Sequence, residues 1–174
     1  MVRELKGRMS GAGRKKTSRA SVEIDFGMLN DLIGFNLRMA QNTMHRHYAK
    51  TAARLGVGQR QFAVLELIDS NPGVSQVDIA AALGLDRPAM MVVVDRLESR
   101  KLAIRKRSET DRRRQELHLT PKGIKFLEKV RALVREHEEM FSSLFTERET
   151  ARLNTFLQRI AGAKEKTRRS EPRV

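Results

Sequence analysis

Apolar residues recur at helical spacing along most of this chain and alternate in only one short region. Phe26, Leu29, Ile33, Leu37, Ala40 and Met44 lie three or four apart, and Leu32, Phe35 and Met39 add a second stripe. This predicts one long helix from Phe26 to about Arg54, apolar on two sides. Such a helix is buried on two sides, one by its own core and the other by a partner chain. "LGVG" (55–58) ends it. A second helix is predicted from about Gln59 to Asp69, with Phe62, Leu65 and Ile68 facing inward, and "SNPG" (70–73) breaks it.

The next stretch, "VSQVDIAAALGLDRPAMMVVVDRLESRKL", carries paired start and stop signals. Ser75 can cap a short helix, with Asp78 three residues on, and Ile79, Ala80 and Leu83 would face inward. Gly84 permits a tight turn. Asp86 can cap a longer helix whose first turn holds Pro88, where the missing N–H costs nothing. Met90, Val93, Val94 and Leu97 form its buried stripe. The pattern is a helix-turn-helix.

Strand alternation follows at once. "LAIRKR" alternates outward and "ELHLT" alternates back, joined by a polar, arginine-rich tip. A helix-turn-helix followed by such a hairpin is a winged helix. Thr120 and Pro121 open another long helix, with Ile124, Leu127, Val130, Val134, His137, Phe141 and Leu144 on one stripe. A final helix starts at Thr146, with Glu149 completing a capping box and Leu153, Phe156, Leu157 and Ile160 on one face. The expected fold is mainly α with a small β-hairpin, a winged helix-turn-helix lobe plus a helical dimerisation region. Its order is α-α-β-α-α-β-β-α-α. The expected division is a disordered basic arm (1–22), a helical dimerisation region (23–56 and 120–163), a winged lobe (57–119) and a basic tail (164–174). Surplus apolar surface at both ends of the chain predicts a homodimer, and C2 dimers suit the two half-sites of a palindromic operator.

Charge points to the partner. The 174 residues carry a net charge of +14, concentrated in three places. Residues 1–20 hold seven Lys/Arg against one acid, residues 161–174 five against two, and residues 99–115 eight against two. The rest of the chain is close to neutral. Basic charge confined to tails and one element favours a polyanion such as double-stranded DNA. No apolar run approaches the length of a membrane span, and no apolar segment follows the basic start as in a secretory signal. The chain has no cysteine, which excludes disulfides and thiolate metal sites and fits a reducing cytoplasm. No Gly-rich phosphate loop or nucleophile elbow is present, so no enzyme is expected and no cofactor is implied. His45 and His47 sit two apart on a helix, and with His137 they form no metal-ligand set.

"DRPAMMVVVDRLESRKL" followed by "DRRRQELHLTPKG" resembles the MarR family of bacterial transcription regulators over roughly residues 25–162. Asp95-Arg96-Leu97-Glu98, Asp111-x-Arg113 and Leu117-x-Leu119-Thr120 carry the resemblance. Arg100-Lys101 departs from it, because relatives usually have Gly at the second position. The resemblance implies that the helix at 86–100 lies in the major groove, with Arg87, Pro88, Ala89, Met91 and Val92 facing bases or phosphates. Met91 and Val92 either contact thymine methyls or pack on the wing. Ser75 and Gln76, at a helix N-terminus, suit a phosphate, and Arg96 suits a backbone phosphate or a salt bridge. Arg105 and Arg107 on the wing's first strand join the DNA-binding set. At the wing tip, Arg113 would enter the minor groove, held by Asp111, with Arg112 and Arg114 on phosphates or turned back to the body.

Members of this family typically bind a small effector between the dimerisation helices and the winged lobe. The candidates here are Arg38, Asn42, His45, Arg46, His47 and Tyr48 on the first helix, with Arg60 and Phe62 opposite. Arginine beside aromatic and imidazole groups suits an anionic aromatic ligand. "DLIGFNLRMAQ" (31–41) looks like regulators of hydroxycinnamate and related aromatic-acid catabolism, some of which sense the aryl-CoA thioester. The expected function is a ligand-responsive repressor released by an aromatic acid or aryl-CoA thioester. The alternative is a ligand-independent, nucleoid-type architectural DNA-binding protein, which the basic tails would also serve.

Overall fold

The computed structural model describes residues 24–108 and 115–169, with side chains placed as far as residue 162 except those of residues 52 and 53. The expected basic arm, the wing tip and the end of the basic tail lie outside the described residues. Among the described residues there are six α-helices and one two-stranded antiparallel hairpin: α1 (Ile33–Lys50), α2 (Gln59–Ser70), α3 (Gln76–Leu83), α4 (Arg87–Ser99), β1 (Ala103–Arg107), β2 (Gln115–Leu119), α5 (Pro121–Ser142) and α6 (Glu147–Arg169).

The long first helix expected from Phe26 is divided. A 3-10 turn at Gly27–Asp31 precedes α1, and another at Ala52–Leu55 follows it. Gly27 has φ +51 and Leu32 is extended, so the helical ladder cannot run through them. The Asn36 side-chain amide donates to the Asn30 carbonyl at 2.8 Å and secures the break. The strand expected between α2 and α3 is reduced to a single bridge, Ser75 to Glu116, with the Leu117 N–H donating to the Val74 carbonyl at 2.9 Å. Ser75 immediately caps α3, so the backbone turns away after one pairing.

The start signals act as the sequence predicts. Ser75 accepts from the Asp78 N–H, Asp86 from the Ala89 N–H and Thr120 from the Gly123 N–H. Such caps satisfy otherwise orphaned N–H groups and are each worth about 1 kcal/mol. The ends of α3 and α4 share one geometry with different residues. After α3, Leu85 N–H bonds Ala80 O and Gly84 N–H bonds Ala81 O; after α4, Leu102 N–H bonds Leu97 O and Lys101 N–H bonds Glu98 O. This double bond pattern needs a left-handed residue. Gly84 supplies it at φ +63, whereas Lys101 supplies it at φ 59 with a full side chain.

The core lies between α2, α3, α4, the hairpin and the start of α5. Val64, Leu65 and Ile68 of α2, Ile79 of α3, and Met90, Val93, Val94 and Leu97 of α4 pack with Leu102, Ala103, Leu117 and Leu127. The hairpin register pairs Ala103 with Leu119 and Arg105 with Leu117. Gly123 lets α5 lie against the strand entry, because a Cβ there would collide with the Leu102 carbonyl oxygen. The Arg131 guanidinium joins α5 to α2, donating to Glu66 at 2.8 and 2.9 Å and to Asp69 at 2.7 Å. These charge-assisted bonds, first to Glu66 and then to Asp69, raise its already high pKa.

Candidate nucleic-acid interface

Caps and core packing aim α4 outward. With Met90, Val93, Val94 and Leu97 turned in, Arg87, Pro88, Met91 and Val92 are exposed, and Ala89 is half-buried. Met91 is 47% and Val92 66% exposed, so the described part of the wing covers neither. Arg96 is exposed in the last turn of α4, and Arg107 is exposed at the far end of β1. Between α3, α4 and the hairpin runs an open groove of about 1260 Å³, with Gln76, Arg87, Met91, Asp95, Arg105 and Gln115 among its walls.

Arg105 differs from the other cations. Its guanidinium donates to Asp95 at 2.7 Å, to Glu98, and to the Gln76 side-chain oxygen at 3.3 Å, while its backbone N–H donates to Glu98 at 2.9 Å. One residue of β1 thereby fixes α3, α4 and the hairpin together. Its charge is spent within the protein, as is the Gln76 oxygen. Ser75, 9% exposed, is likewise engaged: its hydroxyl donates to Asp78 at 2.7 Å while capping α3. The roles of Asp95 and Glu98 were not read from the sequence. The available signal was their spacing, two acids three apart on one helix face followed by an arginine-bearing strand. Asp111, Arg112, Arg113 and Arg114 lie outside the described residues.

A second cluster forms where α1 meets α5. His137 is 1% exposed, and its Nδ1 lies 2.8 Å from Nδ1 of His47, with the two rings stacked. Phe141 and Tyr48 meet the His137 ring edge-on at 5.2 and 5.4 Å. Burial lowers the His137 pKa, Glu138 opposes that shift, and the nearby His47 adds to it. Tyr48 is buried, its hydroxyl has no hydrogen-bond partner among the described residues, and burial raises its pKa. Gln61 of α2 is buried too; its side-chain oxygen accepts from the Gly58 N–H, and its NH2 has no partner among the described residues. Buried polar atoms are rarely left unsatisfied, so both can take up a polar ligand group.

The other expected effector residues are dispersed. Arg38, Asn42, His45, Arg46 and Arg60 are exposed. Arg46 donates to Thr43, and His45 lies 3.4 Å from Gln59. Phe62 packs against the lobe core. The burial of His137 and Gln61 was not singled out in the sequence: His137 lay on the apolar stripe of its helix, and Gln61 lay outside the Phe62, Leu65 and Ile68 stripe. Among the described residues no three His, Asp or Glu side chains gather as a metal site, and no helix is long and apolar enough to cross a membrane.

Comparison with known proteins fits this architecture. Residues 55–114, most of the expected winged lobe, match the MarR family profile. The candidate transcriptional regulatory protein for the hcr operon of Thauera aromatica is 34% identical over 139 residues, covering 79% of this chain and 84% of that protein. This chain belongs to the MarR family of transcriptional regulators. Regulators of this kind are not enzymes. Among solved structures, the repressor CouR bound to a 23-mer DNA duplex superposes with a TM-score of 0.76 at 36% identity, covering 80% of this chain and 99% of that one. CouR bound to p-coumaroyl-CoA gives 0.73 at 35% identity, covering 80% and 98%.

Proposed function

We propose that this MarR-family regulator is a cytoplasmic repressor that binds a palindromic operator as a homodimer and is released by a small aromatic acid or its CoA thioester. The observation that carries the reading is the outward face of α4. Arg87, Pro88, Met91 and Val92 are exposed beside an open groove, on a helix held from behind by a complete core. That face suits a major groove, with Met91 and Val92 against thymine methyls and Arg87 and Arg96 on bases or phosphates. Arg107 and the wing tip would extend the contact, Arg113 entering the minor groove with Asp111 holding it and Arg112 and Arg114 on the backbone. Arg105, Ser75 and Gln76, also expected at the DNA, carry intramolecular bonds that would hold the groove's shape.

The exposed apolar residues of the terminal helices support dimerisation between residues 23–56 and 120–163 of two copies. For the effector, Tyr48 is the best placed of the expected set, beside the His47–His137 pair. Arg38, Asn42, His45, Arg46, Arg60 and Phe62 would serve only through a rearrangement or a partner's approach. The likeness to a repressor solved with p-coumaroyl-CoA supports a thioester or its free acid as ligand.

Footprinting on genomic DNA with p-coumaroyl-CoA and 4-hydroxycinnamate tests the reading. One protected palindrome, released by one of these compounds, is expected. Uniform coating with no preferred site would favour an architectural protein instead. On the protected site, Arg113→Ala should weaken binding at least about tenfold and lower the salt slope by about two, because the homodimer loses one groove-directed cation from each lobe.

A further inference from the structure

Arg100 directly precedes Lys101, the position at which this chain departs from its family's pattern, and the structure gives Arg100 an unusual set of neighbours. It closes α4 as the cap residue. Its guanidinium donates to two successive carbonyls across the fold, Gly56 at 2.7 Å and Leu55 at 3.0 Å. The same group lies 4.8 Å over the centre of the Phe126 ring of α5. Its own carbonyl accepts from the Lys122 ammonium of α5 at 2.9 Å. One residue thus ties together α4, α5 and the connection between α1 and α2.

That connection is short and begins at the effector candidates. The last turn of α1 carries His47 and Tyr48, both packed on His137. The turn Ala52–Leu55 follows, and Gly56 then takes φ +67, a backbone position that can act as a hinge. A shift at the end of α1 reaches Leu55 and Gly56 within a few residues. There it meets a planar guanidinium whose fork is matched to both carbonyls and whose face is stacked. A lysine could supply the charge and a donor, but not a rigid planar fork that bonds both carbonyls while its face lies on the ring.

We propose that Arg100 is the positioning residue that couples the α1–α5 region to the recognition helix α4, so that displacement at Tyr48 and His137 is passed to the DNA-reading face. The inference deepens the effector reading above and rests on it for its biological meaning. Coupling of this kind needs an element that both sites bias, and the clamp on Leu55 and Gly56 is that element. Arg100 itself is no DNA contact, so its loss should spare binding and remove communication.

The test is a double-mutant cycle on the full chain, read as affinity for a duplex selected from random DNA by the unmodified protein. Arg100→Met retains a long stem over Phe126 and removes the donors. His137→Gln perturbs the α1–α5 cluster without any ligand. In the parent protein His137→Gln should change duplex affinity about fivefold, and when combined with Arg100→Met less than about twofold. Arg100→Met alone should bind the duplex within about threefold of the parent while reducing release by p-coumaroyl-CoA about tenfold. Arg100→Lys should fall between, and it carries the same cycle if Arg100→Met does not fold. Equal effects of His137→Gln with and without the Arg100 substitution would overturn the proposal. If the cycle shows coupling but neither p-coumaroyl-CoA nor 4-hydroxycinnamate releases the parent protein, the effector reading falls and the role of Arg100 stands.

Discussion

α4 and α6 carry the same kind of apolar stripe and meet opposite fates. Met90, Val93, Val94 and Leu97 are all buried, whereas Leu153, Phe156, Leu157 and Ile160 are all exposed. The contrast extends to the beginning of the chain, where Phe26, Leu29, Leu32 and Ile33 are exposed as well. Large contiguous apolar faces on a soluble chain mark interaction surfaces. A helical period therefore says that a face is to be buried, and says nothing of whether the same chain buries it. One half of this molecule is finished alone. The other leaves its apolar face open, and in the function proposed above a second copy covers it.

Truncation on the two stripes should separate these roles. Leu97→Ala opens a cavity in a closed core, and the expected cost is about 2–5 kcal/mol, read as a lower urea midpoint with the slope unchanged. Phe156→Asp removes nothing from that core. It should instead shift the sedimentation mass from dimer toward monomer and weaken operator affinity about a hundredfold, near 2.7 kcal/mol, because one lobe then binds one half-site. A Phe156→Asp protein that remained a dimer would break the comparison.

The same contrast explains what the sequence made legible. The caps at Ser75, Asp86 and Thr120, the hairpin and the inward stripe of α4 were all readable, because each is decided by residues close in the chain. The division of the first helix was not, since apolar spacing runs through Leu32 while the backbone does not. The intramolecular use of Arg105 was hidden for a different reason. Charge counting treats every arginine in residues 99–115 alike, but Asp95 and Glu98 come beside Arg105 only once β1 has folded back on α4. The His47–His137 pair joins residues ninety apart in the chain, and no local pattern reports such a meeting.

Within the finished lobe, one position is locally unfavourable. Lys101 occupies a left-handed conformation at φ 59 that Gly84 adopts freely at the end of α3. A side chain costs roughly 1–2 kcal/mol there, partly offset by the extra freedom glycine has when unfolded. Lys101→Gly should raise stability by about 1 kcal/mol, seen as a higher urea midpoint. Its side chain is exposed, so operator affinity should change little. A destabilised Lys101→Gly protein would mean that the lysine supplies something beyond the turn.

The smallest effect belongs to the junction between the two regions. His137 is buried between α1 and α5, and burial, assisted by His47, holds its pKa below the ordinary histidine value near 6.5. The unfolded chain therefore binds the proton more readily than the folded one. Stability is then full above the unfolded value and declines as pH falls through that value toward the depressed folded one. Below the folded value the contribution is constant. Melting temperature should drop as pH is lowered from about 7 to about 5.5, and His137→Gln should flatten that slope because the uncharged amide has no proton to gain. The flattening should appear in the dimer and in the Phe156→Asp monomer alike, since His47, Tyr48 and Phe141, which surround the ring, belong to the same chain. A slope that flattened only in the dimer would move the junction from the finished half of the molecule to the half that a partner completes.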